Sequence, residues 1–524
     1  MKNAKASRRR FLSAGLAGAA AIGASAVQSG ALFAAPASAS ESGPHWDETF
    51  DVIVVGSGMS GITAAISAKA NGCGCVVVIE KMPVLGGSSA IAAGDMAAVG
   101  SSLAQKHGIK DSPELMAADI AKLGGGFNHP ELTMTLAENC GRAMDFIVAH
   151  GAKFYDKLIR QNGHSATRVH QPVNGCALGA LKPLHRNFVE EMKGEIRTRV
   201  KLDKLIKDES GRIVGVAVRE NYNFNPDFES DDLENTSGVV KHYRAVRGVI
   251  MGSGGYGRDV KFRQMDTPQI LPEMVLTAGL AATAGAFRAL IAAGARPVNM
   301  AFARWGLRLS ASDMRFSCMV NPQTGKRCMN ESLPRPEMTN RCLEVYHSGA
   351  RRFPVAVLDR VGVEHFDDPL RTERQARLGY LVKYDTLEAL AEKEKIPFDE
   401  LKKSIDRYNE LIAKGKDEDF GKDFDKVERL PIKEAPFYAS LVLPVSNRGM
   451  GGVLITPKAE VIDMTGSVIP GLYAAGEAAS GVHGSMSLIS TTLPAAFTFG
   501  MIAGESIAKA PLPAETVKPD GTIG

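Results

Sequence analysis

Cysteine is scarce and scattered in this chain of 524 residues. The seven, at 73, 75, 140, 176, 318, 328 and 342, include no Cys-x-x-Cys-His for covalent haem and no iron–sulfur spacing. Cys318 and Cys328 flank the turn Asn321-Pro-Gln-Thr-Gly-Lys326 and could face each other across a hairpin, so a disulfide there stays open. No metal site is expected. Later segments lack any run of about eighteen uninterrupted apolar residues, so no spanning helix is expected in the mature chain. A basic excess is missing too. Residues 1–39 hold Lys2, Lys5, Arg8, Arg9 and Arg10 and no acid, and removing those five takes the formal charge from +4 to −1. The remainder lacks the clustered cations that nucleic-acid binding needs.

What is present is a large globular chain, 44% hydrophobic, long enough for about two to three domains. Its first 39 residues stand apart. Ser7-Arg8-Arg9-Arg10-Phe11-Leu12 precedes a Gly- and Ala-rich apolar run to about Phe33, then Ala37-Ser38-Ala39. These are a basic region, an apolar region and a small-residue cleavage site. Adjacent arginines before a moderately apolar run resemble a twin-arginine export signal, the alternative being an uncleaved amphipathic helix. A periplasmic or otherwise exported protein is expected, folded around its cofactor before export.

From Phe50 the chain reads Asp-Val-Ile-Val-Val55, a buried-strand pattern, then Gly56-Ser57-Gly58-Met59-Ser60-Gly61 and an Ala-rich helix. The glycines allow a tight turn, close approach of backbone to a pyrophosphate, and close helix–strand packing, with the helix N-terminus facing the phosphates. A second strand, Val76-Val-Val-Ile-Glu80, ends in an acid 24 residues after Gly56, where a ribose hydroxyl partner belongs. FAD and NAD sites share this fingerprint, and the continuation separates them. Glu80-Lys81-Met-Pro-Val-Leu-Gly86-Gly87-Ser88-Ser89 resembles the loop by which FAD enzymes embrace the ribityl chain and pyrophosphate. Gly248-Val-Ile-Met-Gly-Ser253-Gly254-Gly255-Tyr256 is a further strand ending in a glycine turn, and Gly471-Leu-Tyr-Ala-Ala-Gly476-Glu477 is a returning strand whose acid would reach the ribityl hydroxyls.

Further strings extend the match: Gly163-His-Ser165, Arg168-Val-His170, Tyr384-Asp-Thr-Leu-Glu388, Pro436-Phe-Tyr438 and Gly481-Val-His-Gly484. Over nearly its whole mature length the chain resembles the flavoprotein family of soluble fumarate reductases, succinate dehydrogenase flavoprotein subunits and 3-ketosteroid Δ1-dehydrogenases. The resemblance implies an α/β protein with a Rossmann-like FAD-binding domain split in sequence, residues 48–299 and 441–511. Between them stands an inserted α+β capping domain, 300–440, and residues 512–524 form a tail. It also assigns Gly94, Asp95 and Val200 to the cofactor. A helix starting near Ser490-Thr491-Thr492 would aim its N-terminus at flavin N1 and the C2 carbonyl, where reduced flavin carries negative charge, with Thr491, Thr492 and Leu493 at the cofactor.

The resemblance places a substrate beside the flavin N5. In the fumarate-reductase branch a hydride passes from N5 to one alkene carbon while an arginine delivers a proton to the other. Arg335, four residues after Glu331, matches that arginine. A guanidinium acts so only where its surroundings relay protons, because its free pKa is far above neutral; Asp313, Arg315 and Glu331 are candidates. The residues that clamp a dicarboxylate in that branch are largely replaced, and Ser487 stands where its anchoring arginine belongs. In their place are Arg448, then Arg304 or Arg308, and Trp305, which suggest a monocarboxylate or enone with an apolar or aromatic body. His483 and His170 are expected to shape the cofactor pocket.

The expected activity is FAD-dependent reduction of an activated C=C bond, as a terminal step of anaerobic respiration. Alternatives are a 3-ketosteroid-type dehydrogenase, since Thr492-Leu-Pro-Ala-Ala-Phe-Thr-Phe-Gly500 also resembles that branch, and a non-catalytic flavin electron-transfer module. A chain without haem or iron–sulfur motifs needs a separate reductant, an exported c-type cytochrome or a quinol-linked partner. The helical residues 385–415, with Lys and Glu around Leu387, Leu390, Leu401 and Ile405, are expected to present a solvated capping-domain face.

Overall fold

In the computed structural model the described residues are 45–173, 176–274, 279–309, 311–349, 351–366, 368–425 and 428–512. The expected export signal, residues 1–39, and the tail beyond Leu512 lie outside them. Among the described residues no helix is long and apolar enough to cross a membrane.

Valine- and isoleucine-rich runs with no polar alternation form strands buried on both faces, the habit of a parallel sheet. Glu48–Val55, Val76–Glu80 and the end of Val239–Met251 are such runs, and with Val468–Ala474 and the exposed edge strand Glu195–Thr198 they pair in parallel, in the order Val468–Ala474, Val239–Met251, Glu48–Val55, Val76–Glu80, Glu195–Thr198. Glu460–Ile462 adds an antiparallel edge, and Lys201–Lys207 with Ile213–Glu220 extends the sheet to eight strands. Two strands from the C-terminal part of the chain, Glu460–Ile462 and Val468–Ala474, thus join a sheet made otherwise from the first 251 residues.

Two helices, Met59–Ala70 and Thr492–Lys509, pack side by side on this sheet. Their closeness rests on small residues: a Cβ on Gly500 or Gly504 would stand 2.5 Å from the Ser60 or Ala64 carbonyl oxygen. The contact aligns both N-termini toward the same side of the sheet.

A second, antiparallel sheet has the order Cys318–Val320, Val355–Leu358, Phe437–Leu441, Val382–Tyr384. Side-chain alternation divides it between two apolar clusters. Met319, Ala356 and Leu358 meet Met338 and Cys342 of helix Arg335–His347, whereas Cys318, Val355 and Val357 meet Leu401, Ile405 and Leu411 of helix Phe398–Lys414. That alternation also decides the cysteine question. Cys328 pairs through its N–H with the Met319 carbonyl and packs with the first cluster, while Cys318 faces the second; both are free thiols.

Beneath this sheet lies a buried charge group. Arg327 binds Glu331 through two bonds of 2.9 Å and Asp417 through bonds of 2.9 and 2.8 Å, and Lys422 stands 3.1 Å from Glu331. Glu331, the expected relay member, is fully buried and spent on this network; burial would raise its pKa, but Lys422 and Arg327 hold it below the usual range. Glu331→Gln is expected to lower stability by about 3 kcal/mol or more, because it leaves cations short of a counter-charge in a buried site. Denaturant unfolding checks this; a loss below about 1 kcal/mol would show that the network is solvated.

Candidate active site

The turn after strand Glu48–Val55 is built for backbone approach. Gly56 has φ +98°, and a Cβ there would stand 2.5 Å from the Gly252 carbonyl oxygen; a Cβ on Gly61 would stand 1.9 Å from the Gly56 oxygen. No other residue fits either position. Gly61 therefore acts behind the turn, whereas Gly56, Ser57, Gly58 and Ser60 line a cavity of about 550 Å³.

Glu80 closes the second strand with its carboxylate already oriented. The Ser57 N–H and hydroxyl donate to one oxygen at 3.1 and 2.6 Å, and the Met82 N–H donates to the other at 2.9 Å. The Ser57 hydroxyl in turn accepts from the Gly86 N–H at 2.9 Å, so Gly86 supports the wall while Gly87, Ser88 and Ser89 form it. Ser89 accepts from the Met59 N–H at 3.1 Å, tying this loop to the start of the first helix.

Gly94, Asp95, Val200, Ser253 and Gly254 continue the lining, as do Gly476, Glu477, Thr492 and Leu493; Thr491 is buried just behind, its hydroxyl on the Leu488 carbonyl. Burial pushes the Glu477 carboxyl up, opposed by Arg448 and Arg263. Sequence reasoning named Lys81 but missed its setting. Lys81 donates to the Thr283 hydroxyl at 2.5 Å and pairs with Asp232 at 3.3 Å, and all but Gly285, which donates to Asp232, lie on the cavity wall. Those groups lie some 150 and 200 positions away, and no local signal joins them.

At one end of the cavity stand Arg304, Arg448 and Ser487. Strand Ala303–Leu307 pairs with Pro444–Gly449 through a bulge, Ala303 opposite Gly449 and Trp305 opposite Ser446, so Arg304 faces the two positions 447 and 448. Cross-strand neighbours share a face, which brings both guanidinium groups to the cavity. Trp305 packs instead against the first cluster of the second sheet, and Arg308 lies over the Tyr380 ring at 4.9 Å, away from the lining.

Arg335 begins helix Arg335–His347, which packs on strand Ala303–Leu307; its side chain is exposed, outside the cavity lining but within electrostatic reach of Arg304. Burial lowers the Arg304 pKa, and the charges of Arg448 and Arg335 lower it further; burial also lowers that of Arg448, with Glu477 opposing. Among the described residues none of these three guanidinium groups has a carboxylate within ion-pair distance. A fourth, Arg263, is 2% exposed and donates to the Gly257 carbonyl at 3.0 Å and the Ser446 hydroxyl at 2.8 Å. Ser446 passes this on to the Arg448 carbonyl at 2.9 Å, so Arg263 braces the strand that carries Arg448.

The two histidines differ. His170 is locked between the Ser101 hydroxyl at 2.8 Å and the Met96 and Arg168 carbonyls. His483 lines a 40 Å³ cavity beside Arg448 and Glu477, with Nδ1 buried and unpartnered among the described residues. Burial, reinforced by the Arg448 charge, pushes its pKa down to about 3. It is therefore neutral in the working range and is no proton donor there. The pH profile of kcat/KM for His483→Gln should keep its shape between about pH 5 and 9. Loss of a limb near neutrality would show that His483 titrates in catalysis.

The cavity fits a flavin dinucleotide on these grounds: two helix N-termini converge on it, a glycine cradle leaves backbone exposed, a ribose-type carboxylate is pre-oriented, and the Ser253 and Ser487 hydroxyls are buried without partners among the described residues. Comparison with known proteins agrees. The FAD binding domain family matches residues 51–493. The chain is 32% identical to the acrylate reductase flavoprotein subunit of Shewanella woodyi, covering 92% of this chain and 96% of that one. It is 31% identical to the fumarate reductase (cytochrome) of Shewanella frigidimarina, over 89% of this chain and 78% of that one. The open conformation of a flavocytochrome c3 fumarate reductase superposes with a TM-score of 0.76 at 27% identity, covering 88% of this chain and 79% of that one. The chain belongs to the FAD binding domain family and is an FAD-dependent oxidoreductase of the fumarate-reductase type, acting on carbon–carbon double bonds.

Proposed function

We propose that this protein reduces the C=C bond of an α,β-unsaturated monocarboxylate, receiving electrons after export from a c-type cytochrome or a quinol-linked partner. The observation that carries the reading is the pair of guanidinium groups, Arg304 and Arg448, at the end of the cavity, with no carboxylate within ion-pair distance among the described residues and with the exposed Arg335 in electrostatic reach of Arg304. Unpaired cations gathered out of water are costly unless a ligand anion completes them. Arg304 and Arg448 hold one carboxylate between them, a charge-assisted, bidentate arrangement. Ser487 supports only a neutral contact at the position where a second anionic group would need a cation, which disfavours fumarate.

FAD supplies the hydride when bound. Arg335 delivers the proton to the other alkene carbon, so that one C–H bond forms by hydride and one by proton while the C=C π bond is lost. Because Arg335 is exposed, solvent restores its proton without the relay that Glu331 would have served. Glu477 and the backbone at the start of helix Thr492–Lys509 orient the cofactor, and Arg263 holds the strand of Arg448 in place.

The test is anaerobic. Protein reduced with viologen is mixed with propenoate, substituted propenoates, fumarate and enone steroids, and reoxidation is followed. Monocarboxylic enoates should be reduced fastest. Turnover of enone steroids alone would replace this reading with the ketosteroid one, and no turnover of any acceptor would leave the electron-transfer module.

A further inference from the structure

Two arginines account for one end of an enoate and leave its other substituent unplaced. Phe127 is 57% exposed, an unusual position for a phenylalanine in a structure with so large a core. Its ring stands 5.0 Å from that of Phe302, tilted by 54°. The partners come from distant parts of the chain, and each is fastened to an element that reaches the site.

The turn Gly124–Asn128 is bonded to the loop of His483 and Ser487: the Ser485 N–H and hydroxyl donate to the Gly124 carbonyl at 3.0 and 2.9 Å, and the His129 N–H donates to the Gly481 carbonyl at 2.7 Å. The fit is close, since a Cβ on Gly484 would stand 2.9 Å from the Asn128 nitrogen and 3.1 Å from the Phe127 carbonyl carbon. Phe302 lies two residues before Arg304, and its carbonyl accepts from the Met450 N–H at 2.9 Å, two residues after Arg448. One ring is thus held by the loop that ends in Ser487 and the other by the arginine-bearing ribbon. Neither belongs to the lining of the dinucleotide cavity, so the pair is available to something other than the cofactor.

We infer that Phe127 and Phe302 form an aromatic subsite for the β-substituent of the substrate, making the preferred class an aryl- or bulky alkyl-substituted propenoate. This rests on the enoate reading above. Carboxylate and aryl groups at opposite ends of one short molecule match cations and a ring carried on the same ribbon, Phe302 two residues from Arg304, and an aryl group entering between or over the Phe127–Phe302 pair gains offset or edge contacts.

The experiment compares 3-phenylpropenoate with unsubstituted propenoate, using FAD-loaded wild type, Phe127→Ala, Phe302→Ala and Phe302→Leu. Wild type should favour the phenyl compound in kcat/KM. Each alanine variant should lose roughly tenfold of that preference, with propenoate turnover and FAD content unchanged, and Phe302→Leu should recover part of it. Equal turnover of both acids by wild type, or equal losses on both acids in the variants, overturns the subsite but leaves the enoate reading standing. Failure of both acids with the wild type overturns both. If Phe127→Ala slows reduction by the electron donor while acid selectivity holds, the exposed ring serves donor docking and the subsite is wrong.

Discussion

Replacing Arg335 with alanine should lower kcat by about a hundredfold to ten-thousandfold, the span that a positioned proton donor contributes. KM should change little, because Arg304 and Arg448 lie in the cavity while Arg335 lies outside its lining. FAD content and flavin reduction by dithionite should be intact, since the residue starts a helix of the second sheet's layer and touches no part of the dinucleotide cradle. Arg335→Lys should recover only a fraction, because an ammonium on a flexible stem cannot reproduce the fork geometry. Stopped-flow reoxidation by substrate separates this step from electron supply. Wild-type reoxidation in Arg335→Ala would sink the assignment and send the search for a donor elsewhere along the ribbon.

The second large effect concerns the clamp. Arg304→Met with Arg448→Met should raise KM for a monocarboxylate by about a hundredfold or more, taking each charge-assisted bond as about 1.5–3 kcal/mol and each 1.4 kcal/mol as tenfold. The stability change should have the opposite sign. Both arginines have pKa values lowered by burial, and Arg304 is further disfavoured by Arg448 and Arg335, so the ligand-free protein carries a repulsion that methionine removes. Tm without ligand should therefore stay level or rise, while the Tm increase on adding a carboxylate product should vanish. A fall in Tm with unchanged KM would mean that the two arginines are structural.

Much of the cradle was legible in the sequence because its signals are local. The run Asp51–Val55, the spacing of Gly56, Gly58 and Gly61, and Glu80 at the close of the next strand each follow from a few neighbouring residues. Helix Thr492–Lys509 begins within the Ser490-Thr491-Thr492 string near which it was expected to start. What stayed hidden depends on register or on distant partners. Adjacent Arg304 and Trp305 could both be drawn toward substrate on paper; period-2 alternation sends one to the cavity and the other to the core, and the bulge that decides this involves residues 447 and 448. The spacing from Glu331 marked Arg335 as the matching arginine, and Glu331 was one relay candidate beside Asp313 and Arg315, but its carboxylate is captured by Arg327 and by Lys422, the latter some ninety residues further on. Asp232 and Arg263 carry no motif at all; only the folded chain shows that one braces Lys81 and the other the Arg448 strand.

Strand Val468–Ala474 lies in the sheet beside Val239–Met251, flanked on its other side only by Glu460–Ile462. During synthesis, then, the cradle around Gly56 waits for a wall that is translated more than four hundred residues later. A nascent chain stalled in the second sheet has no Glu477 and no Thr492 helix to close on the dinucleotide, and half of the helix pair is missing. The cradle is therefore completed late in synthesis, because its last wall, Gly476 to Ala496, follows the second sheet in the chain.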